Sequence, residues 1–186
     1  LKGRQRYHGL ALTTGSAGTI ACGDYLKRRF PESRIAAGEA LQCPTLMENG
    51  FGAHRIEGIG DKHVPWIHNV KNTDMVIDID DRAVVSLARL FNEKAGRAYL
   101  VRQGVPQDLA GRLDLLGFSG IANLLCCIKY CRYYELGPED VVLTVLTDSM
   151  ELDCSRLREM REEHGPYGEL EAAADFARFL EGAGTD

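Results

Sequence analysis

The chain has 186 residues, of which 45% are hydrophobic and 26% charged, with a net charge of −5. That balance excludes a disordered or collagen-like chain, and no apolar run approaches the ~20 residues of a membrane span. The length suffices for a core that buries roughly 70% of the unfolded surface without help from disulfides or metals. Leu1 rather than Met opens the chain, with no charged-then-apolar leader ahead of it. We read this as a processed product or a piece of a longer protein.

The first predicted element is a strand over His8–Thr13, which runs into the cluster Thr13-Thr14-Gly15-Ser16-Ala17-Gly18-Thr19. Helical periodicity follows through Ile20, Tyr25 and Leu26 to Phe30, and Pro31 stops it. Lys27, Arg28 and Arg29 suit the negative end of that helix better than they suggest a nucleic-acid footprint. Arg34–Glu39 reads as the next strand, so the order is a βαβ unit of a parallel sheet. The stretch 41–72 is poorly periodic and rich in Gly, His and Pro, as expected of a functional loop.

Met75–Ile79 is a third strand, with Asp80 or Asp81 capping a helix through Val84, Leu87, Leu90 and Phe91. Residues 96–116 are expected to be helical only after Pro106. A strongly apolar helix spans Phe118–Leu136 and ends at Gly137-Pro138. Val141–Leu146 is a buried strand, and helices over Ser149–His164 and Gly168–Glu181 close the chain. The expected class is α/β: a three-layer, open, mostly parallel sheet flanked by helices, with additional C-terminal helices.

Six cysteines, at 22, 43, 126, 127, 131 and 154, form no CxxC pair, and the histidines show no HExxH spacing. No metal site is therefore expected. Cys126, Cys127 and Cys131 are read as reduced, buried thiols, which favours a cytoplasmic protein.

Three segments can carry chemistry. In Gly15-Ser16-Ala17-Gly18-Thr19, small residues at a helix start leave backbone N–H groups open to a phosphate, and Ser16, Thr19 and Thr14 offer hydroxyls. It is neither a Walker loop nor a GxGxxG fingerprint, and a plain tight turn is the other reading. Gly117-Phe118-Ser119-Gly120 invites a nucleophile elbow, but Ile121 breaks GxSxG, leaving Ser119 as a helix cap. Val145–Ser149 gathers polar residues at a strand's C-terminal end, where ligands bind in parallel sheets, or else Asp148 and Ser149 cap the next helix.

In this order the motifs resemble the C-terminal portion of the fold-type II pyridoxal-phosphate enzymes, the cysteine synthase and cystathionine β-synthase group. Gly15–Thr19 is similar to that family's G-[ST]-G-G-T phosphate cup. Asp24-Tyr25-Leu26-Lys27 with Pro31 resembles its YLK…P helix, and Cys43-Pro44-Thr45-Leu46 its Ser-Pro-x-Leu segment. His54-Arg55-Ile56-Glu57-Gly58-Ile59-Gly60 followed by Val64-Pro65 resembles its H-[KR]-I-x-G-I-G…[VI]-P loop. Gly117–Ala122 resembles G-I-S-S-G-A, and Leu146–Ser149 resembles L-P-D-S. The match spans Gly9–Ser149 in collinear order.

The resemblance implies pyridoxal 5'-phosphate as cofactor, with its phosphate on Gly15, Ser16, Ala17, Gly18 and Thr19 and its pyridine nitrogen on Ser119. Gly58, Ile59 and Gly60 would border the substrate side. It implies β-elimination or β-replacement on a small β-substituted amino acid, a homodimeric full-length enzyme, and no nucleic-acid or membrane partner. The family's Schiff-base lysine precedes the cup. Lysines 2, 27, 62, 71, 94 and 129 lie outside its motif, so no catalytic residue is assigned and the chain alone is expected to be inactive. Ala17 replaces a glycine of the cup, residues 94–116 resemble an insertion, and 1–149 would be the cofactor-phosphate part with 150–186 a helical extension packed on it. The alternative is a stand-alone phosphate- or nucleotide-binding module, or an inactive interaction protein.

Overall fold

A computed structural model describes residues 3–182, and these divide into two compact units. The first comprises the described residues up to Asp81 with Ala122–Val145, the second Arg82–Ile121 with the described residues from Leu146 onward. No single described helix is long and apolar enough to cross a membrane.

The first unit is built on a parallel sheet of β1 (Arg6–Thr13), β2 (Arg34–Ala40), β3 (Met75–Ile79) and β4 (Asp140–Leu143), in the order β3-β2-β1-β4. Helix α1 (Ala21–Arg29) makes the β1-to-β2 crossover, as expected of a βαβ unit. Leu10, Leu12, Ile35 and Ala37 from the two central strands form a buried cluster with Ala17 and Ile20 of the intervening loop. Burying each of the larger side chains stabilises the fold by roughly 1.5–3 kcal/mol. Two glycines show how closely the helices lie on the strands. A Cβ on Gly23 would meet the Ile35 side chain at 2.6 Å, and one on Gly38 would overlap the Cys126 sulfur.

The residues before β3 are fastened by Asp74, whose carboxylate accepts from the Ile35 N–H at 2.7 Å and pairs with Lys27 at 2.7 Å and Arg34 at 3.3 Å. Lys27 thus closes α1 through an ion pair and also donates to the Asn72 carbonyl. The long segment after β2 holds only α2 (Thr45–Glu48) and a 3-10 turn at Val70–Asn72. Glu39 shapes its start. Its buried carboxylate accepts from the Leu46 and Met47 N–H groups at 2.7 and 2.9 Å, supplying the cap that α2 otherwise lacks.

The second unit contains α3 (Asp81–Asn92, from Arg82 onward), α4 (Lys94–Arg102), α5 (Gln107–Ala110), the start of α6 (Phe118–Tyr133), α7 (Cys154–His164) and α8 (Glu169–Phe179). Here the helix expected after Pro106 is present but is not the longest of this stretch. The longer helix, α4, precedes Pro106, and α5 lasts only four residues before Gly111. Helix α4 turns directly off α3 because Gly96 has no side chain to strike the Leu90 carbonyl. Tyr99 meets Phe176 of α8 edge-on at 5.6 Å, and Arg102 pairs with Glu169 at 2.8 Å.

The last strand and the helix after it are also corrected. β4 stops at Leu143, and α7 begins at Cys154 rather than Ser149. All six cysteines are free thiols. Cys126 is fully buried while Cys127 and Cys131 are partly so, a milder burial than expected for the latter two. Burial pushes the Cys127 thiol up to about 11 and Cys126 further, so neither is a thiolate near neutrality.

Candidate functional site

In the first unit, β1 lies between β2 on one side and β4 on the other, so the chain order reverses at β1. In open parallel sheets the crevice beyond the strand ends at such a point receives ligands. The loop that leaves β1 there is Gly15–Thr19.

Its entry is held tightly. The Thr13 N–H and hydroxyl both donate to the Asn123 side-chain carbonyl, at 2.6 and 2.8 Å, and the Asn123 amide donates to the Val145 carbonyl at 2.6 Å. Thr13 and Asn123 are buried. Asn123 escaped the sequence reading, although one amide within an apolar helix was its signal. The Thr14 N–H continues the pairing to the Gly38 carbonyl, and the Thr14 carbonyl accepts from the Gly60 N–H at 2.9 Å. The loop at Gly58–Gly60 therefore abuts the glycine-rich loop.

Beyond Thr14 the loop is open. Among the described residues, none of the backbone N–H groups from Gly15 to Ile20 has a hydrogen-bond partner. Inward bonds resume with the Ala21, Cys22 and Gly23 N–H groups. No side chain caps α1, so its dipole and its first N–H groups face outward. Ala17 takes φ of +63°, and a left-handed residue within such a turn is the local geometry of anion-binding backbone nests. Ser16 and Thr19 carry exposed hydroxyls without partners among the described residues, whereas Thr14 is buried.

The glycines of this loop are not there for internal packing. A Cβ on Gly18 would meet nothing within 4 Å, and one on Gly15 would make only ordinary 3.7 Å contacts to Gly58, Ile59 and Gly60. Neither needs a positive φ. Open space at Gly18 beside the free N–H groups leaves room for an anionic group, so these residues fit one. Gly60 differs, because its φ is +86° and a Cβ would fall 2.6 Å from His54 Nε2.

Beside the loop lies a shallow recess, open to solvent and lined by Thr14, Gly15, Glu39, Thr45, Gly60 and Asp61 among others. Thr45 donates to the Asp61 carbonyl at 2.7 Å, which holds the far wall. Burial raises the Glu39 carboxyl against the lowering effect of its two N–H partners.

The second unit holds a separate polar cluster. Ser119 lies in the first turn of α6, and its hydroxyl donates to Asp148 Oδ1 at 2.7 Å. Thr147 donates to the same oxygen at 2.8 Å and lies 3.0 Å from Ser119 Oγ. The cap assignment of Ser119 is thereby corrected: its side chain is spent on Asp148. The cap assignment of Asp148 and Ser149 fails too, since α7 starts later and Asp148 serves Ser119. Gly117 makes room, because a Cβ there would sit 2.9 Å from the Asp148 carboxyl carbon.

No protein-family model matches the chain. Cysteine synthase B of Campylobacter jejuni is 27% identical over 138 residues, covering 74% of this chain and 39% of that protein. A cysteine synthase of Staphylococcus aureus is 25% identical over the same share of this chain and 38% of its own length. The chain thus spans about two fifths of these relatives. Among solved structures, an O-acetylserine-dependent cystathionine β-synthase from Helicobacter pylori aligns with TM-score 0.60 and 26% identity, over 83% of this chain and 44% of that one. A hydrogen sulfide-producing enzyme from Fusobacterium nucleatum aligns with TM-score 0.63 at 24% identity, over 92% of this chain and 45% of that one, and shares the fold.

Proposed function

We propose that this chain, a relative of the C-terminal portion of the fold-type II pyridoxal-phosphate enzymes, supplies the cofactor-phosphate site of a β-elimination or β-replacement enzyme. The observation that carries this is the row of unpartnered N–H groups from Gly15 to Ile20, fronted by glycines that the fold itself does not require. In this reading Gly15, Ser16, Ala17, Gly18 and Thr19 hold the phosphate through backbone N–H groups, the exposed Ser16 and Thr19 hydroxyls and the dipole of α1. Ser119 meets the pyridine nitrogen, and Gly58, Ile59 and Gly60 border the substrate side. When bound, pyridoxal phosphate supplies the electron sink for chemistry at the α-carbon of an amino acid.

The chain's own contribution is to bind and orient. The clamp of Thr13 by Asn123 sets where the glycine-rich loop leaves the sheet, and the Gly60-to-Thr14 bond ties the substrate-side loop to it. The substrate class is a small β-substituted amino acid, and the Schiff-base lysine comes from outside these residues. Cytoplasmic location and a homodimeric complete enzyme belong to the same proposal.

The test is to incubate the chain with pyridoxal phosphate, reduce with borohydride and map any labelled lysine by mass spectrometry. Saturable, phosphate-competed binding without a lysine adduct is the expected result. A stoichiometric adduct on any lysine of this chain would overturn the assignment of the lysine to a segment outside it. Binding that inorganic phosphate does not compete would overturn the loop assignment.

A further inference from the structure

Glu39 and Asp78 are direct partners in the pairing of β2 with β3, each one residue before the end of its strand. Directly paired residues project from the same face of a sheet, so the register sets two carboxyl groups side by side. Glu39 is 2% exposed and Asp78 is half-buried. The two side chains are hydrogen-bonded to one another. A carboxylate only accepts hydrogen bonds, so this contact needs a proton on one of the two. With both ionised it becomes a repulsion between like charges at close range.

Their surroundings are unequal. Glu39 accepts from the Leu46 and Met47 N–H groups, one on each oxygen. Asp78 has no such support: its Oδ1 is buried and receives no hydrogen bond among the described residues. Lys129 of α6 brings a cation to Asp78 and donates to its backbone carbonyl at 3.1 Å, while Glu48 of α2 adds a further negative charge. Asp61 and His63 line the recess that Glu39 also borders. Burial raises both carboxyls above their ordinary values.

We propose that Glu39 and Asp78 share a single proton and form a pH-sensitive latch between β3 and the α2 wall of the recess, closed while the proton is held and opened by its loss. The latch does not depend on what the glycine-rich loop binds. Asp78 is the side that yields, because Glu39 stays pinned to α2 by its two N–H bonds. The pinned side continues through Thr45 to the Asp61 carbonyl, and from Gly60 to Thr14 at the entry of the glycine-rich loop. A carboxyl raised in the folded chain stabilises it fully below the ordinary carboxylate range. That stabilisation is lost as pH rises through the raised value.

NMR of the chain with carbon-13 in its side-chain carboxyls tests this from about pH 3 to about pH 9. The Glu39 and Asp78 carbons should titrate as a pair in two steps, and the Leu46 and Met47 amide protons should follow the upper one. In Asp78→Asn the upper step should disappear, leaving Glu39 to titrate once and at lower pH. Urea unfolding gives a second readout. Between about pH 5 and about pH 8 the unfolding constant of the native chain should rise about threefold more than that of Asp78→Asn, which lacks the like charge. Glu39→Gln weakens the cap of α2 but should remove the same upper step from Asp78, and it serves if circular dichroism shows Asp78→Asn unfolded. Separate single-step titrations of both carboxyls in the ordinary range, or a Glu39 midpoint unmoved by Asp78→Asn, would overturn the shared proton. A paired titration with equal pH dependence of unfolding in the native chain and the variant would overturn the latch.

Discussion

The Gly15–Thr19 loop and the Ser119 cluster are both polar, glycine-flanked turns at a helix start, yet they are built on opposite plans. In the loop the donors are backbone N–H groups left without partners among the described residues, and the side chains that matter are those missing from Gly15 and Gly18. In the cluster each hydroxyl is already committed, and Gly117 is small so that a carboxylate can come close. An open array of N–H groups recognises charge and tolerates changes of side chain, provided these stay small. A closed network holds its own side chains in place and tolerates almost no change.

The sharpest way to break this contrast is Gly18→Leu. Since a side chain there meets nothing, the folded chain should keep its stability within about 0.5 kcal/mol while losing phosphate and pyridoxal phosphate binding altogether. Titration calorimetry beside thermal unfolding separates the two. Retained binding would mean that the free N–H groups are not the site. Asn123→Ala comes next in size, because it leaves the Thr13 donors and the Val145 acceptor unpaired in a buried place. We expect a loss of about 2–4 kcal/mol in denaturant unfolding, and a loss below 1 would show that the loop is not anchored through this amide.

Asp74 gives a smaller effect with a defined pH signature. Burial alone would raise its carboxyl, but Lys27, the Ile35 N–H and Arg34 outweigh it and hold it below the usual carboxylate value. A lowered folded value means that the stabilisation is fully present above about pH 4 and fades as pH falls through the lowered value. Asp74→Asn should therefore cost about 1–2 kcal/mol at neutral pH, and the gap to the native chain should close on acidification below about pH 4. A gap independent of pH would show that the ion pairs contribute nothing.

The parts of this architecture that could be read from sequence are those with a local physical cause. Met75–Ile79 was placed to the residue because polar Thr73-Asp74 and Asp80-Asp81 bracket an apolar run. The Gly15–Thr19 loop stands out in the sequence because glycines and hydroxyls gather where a strand passes into a helix, and the Gly58–Gly60 segment only through its resemblance to a family motif. What failed was decided by distant partners. Val141–Leu146 reads as one strand, yet pairing with β1 ends at Leu10 and Leu143, and the Val145 carbonyl goes to Asn123 instead of a neighbouring strand. Pro106 suggests helix only beyond it, but the stronger helix formers of Lys94–Arg102 needed only Gly96 to clear Leu90. Asp148 looked like a helix cap because its bond to Ser119, 29 residues away, leaves no local trace.

The smallest effect tests the loop's own backbone. Ala17 stands where the glycine-rich motif it resembles has glycine, and its φ of +63° is a conformation that costs a residue with a Cβ roughly 1–2 kcal/mol. Its methyl is also buried, 1% exposed within the cluster of Leu10, Leu12 and Ile20, which returns about 0.8 kcal/mol. Ala17→Gly relieves the first and loses the second, and it adds freedom to the unfolded chain worth a further 0.5–1 kcal/mol or so. The three nearly cancel, so unfolding free energy should change by less than about 1 kcal/mol in either direction. The same replacement at Ala36, fully buried in β2 in extended backbone, has no strain to relieve and should cost more than about 1 kcal/mol. Equal losses at the two positions would show that Ala17 is held by packing alone. A difference in the expected sense would mean that the left-handed turn, rather than the methyl, is what the loop must keep to present its N–H groups.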